Sequence, residues 1–175
     1  MACGPREAQF VPRAALVVCL ALTGGCGFVL QGAAPLPREV SVVRIDTAEP
    51  RTAFADALQR RLRAADVTLA TSAVPTSPDA PSTAVLRIER DEFLERVAAL
   101  SARNVPREYE YTYVVHWSLE SAGVRRVETS ELTASRNLTF DERRVLAKQR
   151  EREQLREALA EELVGVVLQR ISGLR

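Results

Sequence analysis

Residues 108–120 read EYEYTYVVHWSLE, and they decide the fold. Tyr109, Tyr111, Tyr113, Val115, Trp117 and Leu119 fall on one side of an extended chain. Glu110, Thr112, Val114, His116, Ser118 and Glu120 fall on the other. Strict alternation over this length predicts a strand of a sheet with one buried face. The aromatic row on the buried side reads first as core and cross-strand packing, because rings on one face of a strand pack against their neighbours.

Working outward, Ser121-Ala122-Gly123 turns the chain, and Val124 to Leu138 returns as the second arm of a hairpin. Upstream, Thr83 to Ala98 reads as a long strand. Leu86 and Ile88 alternate, then Phe93, Glu95 and Val97, which implies a bulge near Arg90-Asp91. Residues 99–106 connect the two strands. Residues 71–82, TSAVPTSPDAPS, carry three prolines and small polar residues and read as an exposed loop. Val67 to Ala70 is a short strand, and Glu39 to Ile45 an earlier, β-branched one.

Two helices complete the set. From Arg51 to Asp66, Phe54, Leu58 and Leu62 repeat at i+4, with Pro50 suited to the helix start and Arg60, Arg61 and Arg63 off the stripe. Asp141 to Ser172 is a long helix. Its first half is charged, and its second half carries Leu155, Leu159, Leu163, Val166, Val167 and Ile171, with Gly173 as a stop. The Glu residues of this helix read as a solvated face with i,i+4 pairs to Arg and Lys. Two apolar stripes and one apolar sheet face predict an α/β (α+β) domain, with two helices packed on one face of a small mixed, largely antiparallel sheet.

The N-terminus reads as an address. Arg6 and Arg13 precede an apolar run, AALVVCLAL at 14–22, followed by Thr23-Gly24-Gly25 and Cys26. That is the layout of a secretory signal peptide over residues 1–25. The cysteine after the small residues makes it a lipoprotein signal, with Cys26 the lipidated first residue of the mature chain. Thr23 stands where such signals prefer Leu, with Leu22 one place further back. One acyl chain holds a protein to a membrane only marginally, whereas two or more anchor it. Residues 26–37 then form a lipidated tether and 38–175 the domain. Gly27 follows the cysteine, which favours the outer membrane, periplasmic side.

Composition excludes several classes of function. There are 24 Lys+Arg against 23 Asp+Glu, and removing Arg6, Glu7 and Arg13 with the leader makes the two signs equal. No basic field exists to attract nucleic acid. All three cysteines, Cys3, Cys19 and Cys26, precede the domain, so its body has no disulfide framework and no thiolate metal site. One histidine, His116, sits mid-strand and reads as a sheet-surface residue. No phosphate-binding glycine loop and no nucleophile–base set is present, so the chain reads as a non-enzyme without metal or cofactor beyond the lipid on Cys26.

The motifs together resemble the LPS-assembly lipoprotein LptE family. The resemblance opens at Cys26-Gly27-Phe28-Val29-Leu30, where Gln31 replaces the family's usual basic residue and Gly32 remains. It continues through Leu58-Gln59-Arg60-Arg61-Leu62 and Glu108-Tyr109-Glu110-Tyr111, to Arg136-Asn137-Leu138-Thr139-Phe140 and Leu146-Ala147-Lys148, followed by Glu151 and Leu155. The resemblance implies an outer-membrane β-barrel partner, LptD, in whose lumen the lipoprotein sits as a plug. It implies delivery of lipopolysaccharide to the outer leaflet and assistance in barrel assembly. It also implies two lipopolysaccharide contacts, Lys148 at the start of the last helix and Arg103 in the strand connection, the latter with one residue gapped before Glu108-Tyr109. The alternative is a pilot or structural lipoprotein of a different outer-membrane assembly.

Overall fold

The computed structural model describes residues 36–70, 83–139 and 145–174. The predicted signal peptide, Cys26, most of the predicted tether, the predicted loop at 71–82, Phe140 and the predicted first turn of the last helix lie outside them.

Strands β1 (Val42–Thr47), β2 (Thr68–Leu69), β3 (Thr83–Leu100), β4 (Pro106–Ser121) and β5 (Val124–Thr139) form one open sheet in the order β2-β1-β3-β4-β5. β1 runs parallel to β2 and β3, and β3, β4 and β5 are successively antiparallel. Helices α1 (Ala53–Ala64) and α2 (Val145–Ser172) complete the described elements. The predicted first strand is shorter at its start, because Arg38–Val40 forms a 3-10 turn and pairing begins at Val42.

The aromatic row of β4 is the floor of the core. Tyr111, Tyr113, Val115, Trp117 and Leu119 are buried, as are Phe54, Leu58 and Leu62 of α1 and Leu159, Leu163, Val167 and Ile171 of α2. Both helices cover this same face, since each has an apolar stripe to withdraw from water. Ala160 and Val164 of α2 join the core, while Val166 is only half-buried.

The bulge in β3 sits at Glu89. Ile88 pairs with Trp117 and Arg90 with His116, so Glu89 is an extra residue. Ala84, Leu86 and Ile88 face the helices before it. Asp91, Phe93, Glu95 and Val97 face them after it, opposite Val115, Tyr113, Tyr111 and Tyr109. Without the extra residue in the ladder, Arg90, Glu92 and Leu94 would have taken the inward positions.

Turn chemistry fixes the connections. Ala122 and Gly123 both have positive φ, 52° and 74°, as a two-residue hairpin turn of the primed type requires. At the end of α1, Asp66 has φ 58° and donates its N–H to Arg63 O, while Val67 N–H reaches Leu62 O at 3.0 Å. This Schellman pattern, with Leu62 and Val67 both buried, sends the chain directly into β2. The start of α1 differs from expectation. Thr52, not Pro50, is its N-cap, and accepts the Ala55 N–H at 3.1 Å. At the far end, α2 stops at Ser172, and Gly173 follows without a left-handed backbone.

The predicted i,i+4 pairs of α2 do not form, because no Glu of this helix has a Lys or Arg four residues away; longer-range pairs are found instead. Glu161 meets Arg60 at 2.9 Å and Arg61 at 3.6 Å, joining the helices, and Glu162 meets Arg136 of β5 at 2.8 Å. The local pair that forms, Arg156 with Glu153, is i,i+3. Helix packing brings these charges together, and neither Glu161 nor Glu162 has a Lys or Arg three or four residues away to compete.

Candidate functional site

The sheet outruns its cover at one end. β1 pairs with β3 only as far as Ile88, and α1 begins beside Asp91. Beyond that point the inner face of β3–β4 is covered by the N-terminal half of α2. This region carries the aromatic row onward. Phe93 stacks on Tyr111 with centroids 5.5 Å apart and an interplanar angle of 7°, and Tyr109 follows Tyr111 at 6.3 Å. Such offset ring pairs add to the stabilisation from burial.

The stripe of α2 that faces this floor is apolar from Leu155 onward and cationic before it. Lys148 and Arg152 are four residues apart, and Leu155 lies three residues beyond Arg152, so the cations share a helix face with the apolar stripe. Lys148 Nζ lies 3.6 Å from the centroid of the Tyr109 ring, and the Arg152 guanidinium 5.5 Å from that of Phe93. A cation over a ring face is held by the ring's quadrupole. Both cations also meet Glu95, Lys148 at 3.6 Å and Arg152 at 3.1 Å. The Lys148 side chain is only 22% exposed. Burial, and after it the Glu95 charge, holds the Tyr111 phenol above its ordinary range. Its hydroxyl has no hydrogen-bond partner in good geometry among the described residues.

The boundary between this region and the main core is a polar clamp. Asp91 accepts hydrogen bonds from Thr52 Oγ1 and, at 2.7 Å, from the Tyr113 hydroxyl. Each hydroxyl in turn accepts a first-turn N–H of α1, Ala55 on Thr52 and Phe54 on Tyr113 at 3.2 Å. Two otherwise orphaned helix donors are thus tied to one carboxylate through two hydroxyls. Burial raises the Asp91 pKa, opposed by its two hydrogen bonds. Burial, then the hydrogen bond to Asp91, raises the Tyr113 phenol still further.

The sequence-predicted residues separate. Lys148 stands on the aromatic floor. Arg103 lies in the β3–β4 turn, which Ser101 closes by accepting the Asn104 N–H on its carbonyl and the Val105 N–H on its Oγ. Arg103 is exposed there and makes no ion pair with any described residue. Three residues of β4, about 10 Å, run from Pro106 to Tyr109, so both cations belong to the same end of the sheet. Cys26 is outside the described residues. Sequence reasoning missed Arg152, Glu95 and Phe93 as companions of Lys148. The i+4 spacing of Lys148 and Arg152 was visible, but their shared partner depends on the bulge at Glu89.

His116 is half-buried on the uncovered face, with Nε2 3.3 Å from Glu131. Among the described residues no three His, Cys, Asp or Glu side chains are grouped to hold a metal ion, and no helix is long and apolar enough to cross a membrane.

Fold and site define a two-layer α+β domain that carries a cation-topped aromatic floor at the open end of its sheet. The family model described as LptE, lipopolysaccharide-assembly, matches residues 40–171. The chain belongs to that family of lipopolysaccharide-assembly lipoproteins. The same fold is found in rare lipoprotein B from Shewanella oneidensis, at 23% identity and TM-score 0.60 over 73% of this chain and 91% of that one. It is found in lipoprotein B from Nitrosomonas europaea, at 24% and 0.64 over 83% and 90%. A minor lipoprotein from Acinetobacter baumannii shares it at 18% and 0.60 over 79% and 93%. No protein of curated function matches this chain in sequence.

Proposed function

We propose that this lipoprotein is anchored by Cys26 to the periplasmic side of the outer membrane, docks in the lumen of an LptD-like β-barrel, and binds lipopolysaccharide there on its way to the outer leaflet. In this reading residues 1–25 are the signal peptide, 26–37 the tether and 38–175 the working domain, and the protein acts by binding, without catalysis. The observation that carries the reading is the position of Lys148. A lysine on an aromatic floor, at the end of the sheet that α1 does not reach, offers a positive charge next to apolar surface. A phosphorylated lipid presents the complementary pair, anionic headgroup beside hydrocarbon. Arg103, exposed on the turn at the same end, extends the cationic surface.

The remainder of the surface suits a barrel lumen, which is polar. The uncovered face of the sheet carries Arg90 paired with Glu92 at 2.7 Å, Arg96 paired with Glu110, and His116 beside Glu131. Such a face can rest against polar walls without exposing a large apolar patch.

The test is purification of the tagged, lipidated protein from outer membranes in mild detergent, with identification of co-purifying proteins and lipid. One large β-barrel in equal amount, together with lipopolysaccharide, is expected. Lys148→Asp, and more weakly Arg103→Asp, lowers lipopolysaccharide binding while the circular dichroism spectrum stays native. Wild-type affinity in both variants would overturn the site, and recovery of a secretin in place of the barrel would favour a pilot role.

A further inference from the structure

Glu95 is misplaced by ordinary sheet logic. It occupies an inward position of β3, between Phe93 and Val97 and opposite Tyr111, where an apolar side chain would extend the core. Instead a carboxylate sits there, 30% exposed, and both of its oxygens are engaged. Oε1 faces Lys148 Nζ at 3.6 Å, and Oε2 faces Arg152 Nε at 3.1 Å. One helical turn separates the two cations, and a ring lies beneath each. The geometry is that of two donors converging on one oxyanion, with apolar surface around it.

A phosphate group presents the same kind of acceptors with more charge. Arg grips such an oxyanion directionally, and Lys supplies a point charge. We propose that Lys148 and Arg152 form a single two-cation site for a phosphate-bearing lipid headgroup, and that Glu95 fills this site in the unliganded protein as an internal counter-ion that the phosphate displaces. The inference rests on the lipopolysaccharide reading above. It adds Arg152 as a second binding residue and Glu95 as the group that sets the threshold for binding. Two cations face the one carboxylate of Glu95 here. A phosphate monoester, which carries more than one negative charge at pH 7, competes with Glu95 better than a singly charged diester does. The internal carboxylate therefore biases the site toward monophosphorylated sugar headgroups over ordinary phospholipids.

The experiment measures binding of the purified, lipidated protein in detergent to lipopolysaccharide and to the same material stripped of its phosphates. Glu95→Gln is expected to bind intact lipopolysaccharide about fivefold more tightly, the size of a half-exposed ion pair, with no gain for the dephosphorylated lipid. Arg152→Gln is expected to weaken binding by a similar factor. It should also abolish most of the gain when combined with Glu95→Gln, because the two residues are coupled. Glu92→Gln adds the same net charge on the uncovered face, beside Arg90, and should change nothing.

A Glu95→Gln protein that melts like wild type but binds no better would overturn the proposal. An equal gain in Glu92→Gln, or toward the dephosphorylated lipid, would do the same. If Glu95→Gln is poorly folded, an unchanged affinity in Arg152→Gln alone overturns it. Indifference of binding to Lys148→Asp would sink the lipopolysaccharide site as a whole. A loss with Lys148→Asp but no gain with Glu95→Gln defeats only the counter-ion.

Discussion

Asp91→Ala tests how the two layers are joined. The carboxylate receives two hydroxyl donors, Thr52 and Tyr113, and through them holds the Ala55 and Phe54 N–H groups of α1. Removing it deletes two hydrogen bonds to a charged acceptor, each worth about 1.5–3 kcal/mol. It also relieves the cost of keeping a half-buried carboxylate charged, which opposes that loss. Both hydroxyls can turn to other acceptors or to water only in part, since Tyr113 is buried. The net expectation is a loss of about 2–3 kcal/mol at pH 7, or roughly 6–12 °C in Tm for a domain of this size.

The pH dependence gives the prediction a sign. The folded pKa of Asp91 is raised, so the folded state binds more protons than the unfolded one as pH falls through that raised value toward 3.8. Stability contributed by this group is therefore largest in acid and is lost as pH rises through the folded pKa. The alanine variant lacks this titration, so wild type gains on it as the pH falls from 7 to 4. Thermal melts of both proteins at the two pH values decide the matter. A variant within about 0.5 kcal/mol of wild type at pH 7, or a gap that narrows in acid, would refute the clamp.

The remaining predictions concern packing and register. Deleting Glu89 removes the bulge but leaves Asp91, Phe93 and Glu95 facing the helices, so the protein should still fold, with a Tm within several degrees of wild type. Deleting Glu92 flips Phe93 outward and should abolish the cooperative melt; a native melt after that deletion would contradict the register. Trp117→Ala opens a cavity beneath both helices and should cost about 3–5 kcal/mol in denaturant unfolding. A loss below about 1 kcal/mol would show that the core is not centred there.

Much of the fold was fixed locally. Period-two alternation over 108–120 dictated a one-faced strand, and i+4 repeats of Phe54, Leu58 and Leu62, and of Leu155, Leu159 and Leu163, dictated two one-faced helices. Such patterns are legible because burial acts residue by residue and its period is that of the element. The Gly123 turn was legible for a similar reason, since its backbone conformation is a property of the turn itself. Family membership was also written in the chain, in the order of motifs from Cys26 to Leu155.

Tertiary structure decided what depends on two elements meeting. Thr52 caps α1 through the local Ala55 N–H, but its hydroxyl is also tied to Asp91, 39 residues away, which no local pattern gives. Glu161 and Glu162 of α2, which have no Lys or Arg three or four residues away, found Arg60, Arg61 and Arg136 because packing brought those cations close. Lys148 could be picked out from the sequence, but Glu95 and Arg152 could not be joined to it. Their meeting requires that the ladder leave Glu89 unpaired, which sets the phase of half a strand. Electrostatic partners are chosen by distance in space, and nothing in the spacing of residues along a chain encodes that distance until the sheet and helix are placed.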